Sequence, residues 1–158
     1  MPDQARAALD LALKMLARRA RSEEAVRRRL AREGFPEVEV ESAIARLKEL
    51  RYLDDRAFAA SRASKLLFSG RMGPGSVAQR LASEGLAEEV SEVAIEEARQ
   101  GASERELALK ALEKRRPRVG VDSPLQERVR AARWLVSHGF SEEIARSLLG
   151  LGDEPPPE

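Results

Sequence analysis

The sequence predicts an all-α protein of three tandem three-helix repeats, which we expect to form an elongated, curved helical array. Its composition favours helices: the 158 residues include 25 Ala, 20 Leu, 21 Glu and 23 Arg, whereas Thr and Asn are absent. Residues that start or stop helices recur along the chain, and one helix-ending motif occurs three times at near-equal spacing. The scarcity of β-branched residues excludes all-β and parallel α/β folds.

Helix-starting residues mark the beginnings of most of the predicted helices. Side-chain oxygens that can cap a first turn stand at Ser22, Asp54, Ser103 and Ser141. Ser103 with Glu106 also fits a capping box, and Pro74 and Pro124 suit the first position of a helix. Together with helix-ending glycines, these signals predict nine helices, over residues 4–19, 23–33, 37–50, 55–68, 74–84, 88–100, 104–116, 124–138 and 142–149.

The motif Leu-x-x-x-Gly-apolar occurs at residues 30–35, 81–86 and 135–140, with its glycines 51 and 54 residues apart. A glycine at positive φ can end a helix, and the following apolar side chain then folds back onto that helix. An amphipathic segment lies on each side of every copy. The chain therefore divides into predicted units of residues 1–50, 51–101 and 102–150, with a disordered tail at 151–158.

Apolar residues at helical spacing identify the faces that we expect each unit to bury. On the first helix of the three units they are Leu9, Leu13 and Leu16, then Phe58 and Leu66, then Leu109 and Leu112. On the third helices they are Val40, Ile44 and Leu47, then Val90 and Ala94, then Ile144 and Leu148. We also expect Tyr52, Phe58 and Trp134 to pack in the core rather than to stack on a ligand.

The chain has few of the side chains that catalysis and metal binding require. It has no cysteine, and its single histidine, His138, precedes a helix-ending glycine, where an imidazolium interacts with the helix dipole. We therefore predict no enzyme activity, no catalytic residue, no metal site and no cofactor. A magnesium-dependent phosphoryl enzyme that uses Glu49, Asp54 and Asp55 is the least favoured alternative.

Apolar runs in this sequence are short. None approaches the roughly 20 residues of a transmembrane helix, and residues 1–4 lack the basic-then-apolar pattern of a signal peptide. We therefore expect a cytoplasmic monomer that has no membrane partner.

Charge alternates in blocks along the chain. Residues 14–32 hold eight basic and two acidic residues, residues 84–97 hold six glutamates and no basic residue, and residues 110–133 hold eight basic and three acidic residues. Arginine clusters of this kind suit phosphates or an acidic protein surface. The candidate binding residues are Arg18, Arg19, Arg21, Arg27, Arg28, Arg32, Arg71, Lys114, Arg115, Arg116 and Arg118.

Three segments in the first two units resemble the RecX family of regulatory proteins. They are residues 19–34, which begin Arg-Ala-Arg-Ser-Glu, residues 47–59, which contain Tyr-Leu-Asp-Asp-x-x-Phe-Ala, and the glycine-containing residues 70–86. The second segment is the most specific of the three. The sequence departs from the family pattern at two places that affect the expected contacts with a partner. Arg51 stands where the family usually has glycine, and Ser76-Val77 replaces a basic-Ile pair.

The resemblance implies a non-enzymatic, all-helical regulator in homologous recombination and DNA repair. Such a protein would bind RecA in the groove of the RecA–single-stranded-DNA filament. It would mainly inhibit strand exchange, ATP hydrolysis and the co-protease activity behind the SOS response. The candidate arginines and lysine would contact RecA or DNA phosphate, with weak binding to single- or double-stranded DNA alone.

The residues also leave open a stand-alone DNA-binding protein. Pairs of short helices joined by a glycine turn resemble the helix-turn-helix motif, which binds duplex DNA. The glutamates of residues 84–97 argue against this alternative, because duplex DNA would repel them.

Overall fold

The computed structural model describes residues 2–152, and that part of the chain is all-α, as predicted. The helices are α1 Pro2–Arg18, α2 Glu23–Arg32, α3 Glu37–Glu49, α4 Asp55–Phe68, α5 Pro74–Ser83, α6 Glu88–Arg99, α7 Glu104–Lys114, α8 Leu125–Ser137 and α9 Glu142–Leu148. Every helix begins and ends within two residues of its predicted bounds. Residues 153–158 of the predicted tail lie outside the described residues, whereas Leu151 packs partly against the core.

The helix starts follow the capping chemistry that the sequence predicts. The residues whose side chains accept a first-turn N–H are Ser22, Asp54, Ser103 and Ser141. Ser103 and Glu106 make both halves of a capping box, as predicted. Helix α8 differs slightly: Pro124 is its N-cap, and the helix begins at Leu125, one residue later than predicted.

Within the described residues, three hydrophobic clusters make up the core, one for each consecutive group of three helices. The extensively packed helix pairs join helices of the same group. We call α1–α3 unit 1, α4–α6 unit 2 and α7–α9 unit 3. Leu53, which follows α3, packs in the cluster of unit 1. The core of that unit therefore extends past residue 50, the predicted unit boundary.

The deepest positions on the first helix of each unit are small residues rather than the predicted large ones. Fully buried alanines occupy them at Ala8 and Ala12 in α1, Ala59 and Ala63 in α4, and Ala108 and Ala111 in α7. The predicted residues Leu9, Leu13 and Leu16 are partly buried beside them. An alanine face allows two helices to approach closely, and the larger side chains then fill the space at either edge.

Two core predictions are wrong. Leu109 is 47% exposed, because it lies at the edge of the α7 face that buries Ala108 and Ala111. Tyr52 is 58% exposed, because the turn after α3 directs it away from the core of unit 1. Phe58 and Trp134 are partly buried against the clusters of units 2 and 3.

The middle helices α8 and α5 meet end to end at the junction between units 3 and 2. At the end of α8, the carbonyls of His138 and Gly139 accept hydrogen bonds from the N–H groups of Gly73 and Gly75, at 2.6 and 3.0 Å. Gly139 has a φ of +94°, and a Cβ there would overlap the backbone of Ser76. The junction therefore needs glycine both for the turn and for the close approach of two backbones.

The middle helices α5 and α2 meet in the same order at the junction between units 2 and 1. The Ser22 hydroxyl, at the start of α2, donates a hydrogen bond to the Glu84 carbonyl at the end of α5. The Glu23 N–H donates to the Asp55 carboxylate of α4 at 2.8 Å. Gly85 has a φ of +86°, and a Cβ there would lie 2.6 Å from the Glu24 Cβ. A helix N-terminus thus faces a helix C-terminus at both junctions, which is the favourable order of the two dipoles.

Candidate partner-binding surface

A cleft of about 700 Å³ opens at the junction of units 1 and 2. Its walls come from the link between α1 and α2, the turn between α3 and α4, the exposed face of α4 and the end of α5. The basic lining residues are Arg19, Arg21, Arg51, Arg62 and Lys65, and the acidic ones are Asp54 and Glu84. Tyr52 and Phe58 add two aromatic rings. The cleft is therefore a basic site with aromatic walls.

Both acidic side chains of the cleft already have partners within the chain. Asp54 caps α4 by accepting the Ala57 N–H at 3.1 Å. Glu84 accepts two hydrogen bonds from the Nε atom of Arg62, at 2.9 and 3.2 Å. The other four basic side chains, Arg19, Arg21, Arg51 and Lys65, make no ion pair with any residue in 2–152. Positive charge in the cleft is thus left for a ligand.

Arg21 is the most constrained of these cations. Its Nε atom is buried and has no hydrogen-bond partner among the described residues. Burial lowers the pKa of Arg21, and the neighbouring guanidinium groups of Arg19 and Arg29 lower it further. An arginine remains charged nonetheless, so that an anion bound beside this guanidinium would relieve the repulsion.

Arg51 is held in the left-handed backbone region, with a φ of +60°. It occupies the turn that ends α3, in which the Tyr52 N–H bonds the Leu47 carbonyl at 2.9 Å. Glycine is the usual residue at this point of such a turn. The arginine costs backbone strain and places a guanidinium in the cleft.

Of the predicted binding residues, Arg27 already has ion-pair partners within the chain. It is half-buried and forms ion pairs with Glu23, Glu24 and Glu41, at 3.0, 2.7 and 2.6 Å. The bond to Glu41 joins α2 to α3 and raises the pKa of Arg27. The position of Arg27 off the apolar stripe of α2 is correct, but a neighbouring helix occupies its side chain.

Three predicted residues at the end of α7 also bond within the chain. The Lys114 Nζ atom donates to the Ser69 carbonyl of unit 2 at 3.3 Å. Arg116 donates to the Glu113 carbonyl at 2.6 Å. Arg115 lies over the Trp134 ring, 5.7 Å from its centroid. These side chains support the junction of units 2 and 3 and the loop before α8.

The remaining predicted residues are exposed and are spread over the three units. Arg18, Arg19 and Arg32 lie in unit 1 with Arg28, which forms a single ion pair with Glu24 at 3.3 Å. Arg71 lies in the loop before α5, and Arg118 lies in the loop before α8. Only Arg19 and Arg21 of the predicted set line the cleft. The structure therefore gathers two of the eleven residues into one site.

Sequence reasoning missed four residues of the cleft: Arg51, Tyr52, Arg62 and Lys65. Two signals could have identified part of this set. Tyr52 lies in the most specific segment of the family resemblance, and Arg51 replaces a glycine there. Arg62 and Lys65 carry no local signal, because only the placement of unit 2 against unit 1 turns their face of α4 toward Arg21.

The carboxylates of the alternative magnesium enzyme serve the fold. Asp54 caps α4, Asp55 accepts from the start of α2, and Glu49 pairs with Arg46 at 3.0 Å. Across residues 2–152, no cluster of three or more histidine, cysteine or acidic residues could hold a metal ion. Each helix in that range is too short or too polar to cross a lipid bilayer.

Comparisons with known proteins show similarity along most of the chain. Residues 8–47 match the RecX first three-helix domain. A regulatory protein RecX of Thermus thermophilus is 37% identical over 147 residues, which is 93% of each chain. That of Chlorobaculum tepidum is 35% identical over 149 residues, covering 93% of this chain and 90% of the relative.

Solved structures show the same fold. A crystal structure of RecX from Lactobacillus salivarius aligns with a TM-score of 0.78 at 20% identity, over 95% of this chain and 97% of that one. A second crystal structure, of a regulatory protein RecX, aligns with a TM-score of 0.69 at 25% identity, over 94% of this chain and 72% of that one. With similarity along nearly its whole length, this chain belongs to the RecX family of regulatory proteins.

Proposed function

We propose that this chain regulates the RecA recombinase by binding the RecA–single-stranded-DNA filament in the cytoplasm. It mainly inhibits RecA's strand exchange, ATP hydrolysis and co-protease activity, and it does so by binding, without a catalytic step or a cofactor. The observation that carries the proposal is the match to regulatory proteins RecX over 93% of the chain.

The distribution of basic side chains supports a filament as the partner. Exposed basic residues without an ion-pair partner in the described part of the chain lie in all three units: Arg18, Arg19 and Arg32 in unit 1, Arg71 in unit 2 and Arg118 in unit 3. A filament presents the same subunit surface repeatedly. Several modest contacts joined on one chain then give an avidity that no single contact has.

The contacts within the chain sort the predicted binding residues into two groups. Arg27, Lys114, Arg115 and Arg116 bond to other residues of the chain, and we assign them a supporting role. A test of the binding surface must leave them intact. The pair Arg27→Glu and Arg28→Glu, an obvious choice from the sequence, would set a glutamate against Glu23, Glu24 and Glu41 and disturb the packing of α2 on α3.

The test is ATP hydrolysis by the cognate RecA on single-stranded DNA with this chain titrated in. We expect inhibition at well below one chain per RecA. The double variant Arg18→Glu with Arg32→Glu should inhibit more weakly, because both side chains are exposed and unpaired within the described residues. A control with the same charge change, Arg6→Glu with Arg130→Glu, should inhibit like the wild type.

Unchanged hydrolysis, together with no co-sedimentation on filaments, would refute the proposal. The stand-alone DNA-binding alternative predicts a different result. The chain would then bind duplex DNA tightly without RecA, and log K would fall by about 0.9 per unit of log salt for each phosphate contacted.

A further inference from the structure

We propose that the cleft between units 1 and 2 binds a short stretch of single-stranded nucleic acid, with a base stacked on Tyr52 and the adjoining phosphates held by Arg21 and Arg51. This inference goes beyond the proposed regulation of RecA, because it assigns to named residues the single-stranded DNA binding that the family resemblance only implies. It rests on the charge, the aromatic surface and the backbone conformation found together in the cleft.

The cations of the cleft are arranged to receive phosphates. Arg19 and Arg21 come from the link between α1 and α2, whereas Arg51 comes from the turn after α3 and Lys65 comes from α4. None of the four has an ion-pair partner within residues 2–152. Like charges that share one cleft repel one another, and an anionic backbone bound there would reduce that repulsion.

The aromatic surface distinguishes a nucleic acid from other anions. Tyr52 is 58% exposed in the turn after α3, and Phe58 lines the same cleft. Cations interleaved with an exposed ring are typical of proteins that bind single strands, in which phosphates pair with the cations and bases stack on the ring. An acidic peptide would use the cations and leave the ring without a partner.

The shape favours a single strand over a duplex. The volume of about 700 Å³ lies within the range of a small-ligand site, and the walls belong to two different units. The bases of a duplex are stacked on one another, so that Tyr52 could not stack on them. A single strand can turn one base into the cleft while its backbone continues on either side.

Arg51 supplies the independent observation. A non-glycine residue in the left-handed region is strained. Of the described residues, Arg51 and Gln100 are held there, at the matching turns after α3 and α6, and only Arg51 lines the cleft. Here the strained residue is the one that adds a guanidinium beside Tyr52. Glycine at this position would relax the turn, so that the two effects of the arginine can be separated experimentally.

The experiment is fluorescence anisotropy of a labelled 12-nucleotide oligo-dT with the full chain and no RecA. We expect salt-dependent binding, with log K falling by about 0.7 per unit of log salt for each phosphate contacted. Tyr52→Ala should weaken binding about tenfold, whereas Tyr52→Phe should keep it within about twofold of the wild type. Arg21→Ala should weaken binding about fivefold and reduce the salt slope by about one phosphate contact.

Arg51→Gly is the most informative variant, because misfolding cannot account for its expected effect. It should raise the melting temperature and still weaken oligo-dT binding about fivefold. Arg130→Ala, which removes an exposed charge from α8 far along the chain, serves as the matched control and should bind like the wild type.

Two results would overturn the inference. The first is oligo-dT binding that Tyr52→Ala and Arg51→Gly leave unchanged, since the strand would then bind elsewhere. The second is an oligo-glutamate peptide that displaces the DNA at equal charge and is itself insensitive to Tyr52→Ala, which would make the cleft a site for acidic peptides. Because the assay contains no RecA, either result leaves the proposed regulation of RecA to its own test.

Discussion

The two junctions between units have the same helix-ending turn on one side. They differ in the groups that make the hydrogen bonds across the junction. In both, a Leu-x-x-x-Gly turn presents its helix C-terminus to the start of the preceding middle helix. Units 2 and 3 meet backbone to backbone through Gly73, Gly75 and Gly139. Units 1 and 2 meet through side chains, the Ser22 hydroxyl and the Asp55 carboxylate.

The grooves beside the two junctions differ in the same way. The groove between units 2 and 3 has a volume of about 450 Å³, and its one charged lining residue is Glu104. The cleft between units 1 and 2 is larger and has five basic lining residues. The repeated motif thus sets how neighbouring units join, whereas the residues around each joint decide whether a binding site forms there.

Of the substitutions at the junctions, we expect the largest effect at Gly139. Gly139→Ala adds a Cβ at a φ of +94° that would overlap the Ser76 backbone, and we expect it to lower the free energy of unfolding by about 3 kcal/mol or more. Gly34→Ala is the matched control. Its φ is +89°, and nothing lies within 4 Å of the added Cβ, so that only the strain of about 1–2 kcal/mol remains.

Urea denaturation of the two variants, followed by circular dichroism, measures the difference. Equal losses for Gly139→Ala and Gly34→Ala would show that the backbone contact between units 2 and 3 contributes nothing to stability.

The side-chain junction should be weaker, and Asp55 tests it. Asp55→Ala removes the acceptor of the Glu23 N–H at the start of α2, which we expect to cost about 1–2 kcal/mol. Asp55→Asn keeps an acceptor oxygen and should cost less than Asp55→Ala in the same denaturation experiment. If asparagine were as destabilising as alanine, the hydrogen bond across the junction would not be the stabilising contact.

Arg51→Gly, beside the junction of units 1 and 2, should change stability in the opposite direction. By relieving the left-handed arginine it should stabilise the chain by about 1 kcal/mol, which a rise in melting temperature would show. A lower melting temperature would mean that the Arg51 side chain stabilises the fold and that the backbone strain is not the dominant effect.

The smallest expected effect is a pH dependence at the junction of units 1 and 2. Burial raises the pKa of Asp55, the Glu23 N–H opposes that shift, and the Glu23 carboxylate adds to it. The folded chain then holds the proton more tightly than the unfolded chain does. The contribution of Asp55 to stability is therefore fully present below the ordinary aspartate pKa of about 3.9 and is lost as pH rises through the raised value.

Denaturation of the wild type and Asp55→Asn across pH 3.5–7 checks this sign. The wild type should lose stability relative to Asp55→Asn as the pH rises. A wild type that gains stability relative to the variant over that range would contradict the raised pKa.

Local signals predicted the helices well, because caps and glycine turns act over a few residues. Ser103 with Glu106 and the three motif glycines needed no tertiary information. The depth of burial was harder to predict, since apolar size suggested Leu9 and Leu109 where the structure buries neighbouring alanines. Close helix packing is a property of pairs of helices, and a single helix sequence shows it poorly.

The candidate site depended even more on contacts between distant residues. Arg27 lies on the polar side of α2, yet Glu41, 14 residues later, occupies its guanidinium. The cleft brings Arg21 near Lys65 only because units 1 and 2 join at Ser22 and Glu84. Sequence therefore located the basic segments, while the partners of each cation became known only from the packed units.

The most direct test of whether the basic cleft serves the proposed regulation of RecA is the concentration of chain that halves ATP hydrolysis by RecA on single-stranded DNA, measured for the wild type and Arg51→Gly. We predict half-inhibition by the wild type well below one chain per RecA, and a several-fold higher concentration for Arg51→Gly although that variant is the more stable protein. Equal half-inhibition by the two proteins would contradict a role for the cleft in regulating RecA.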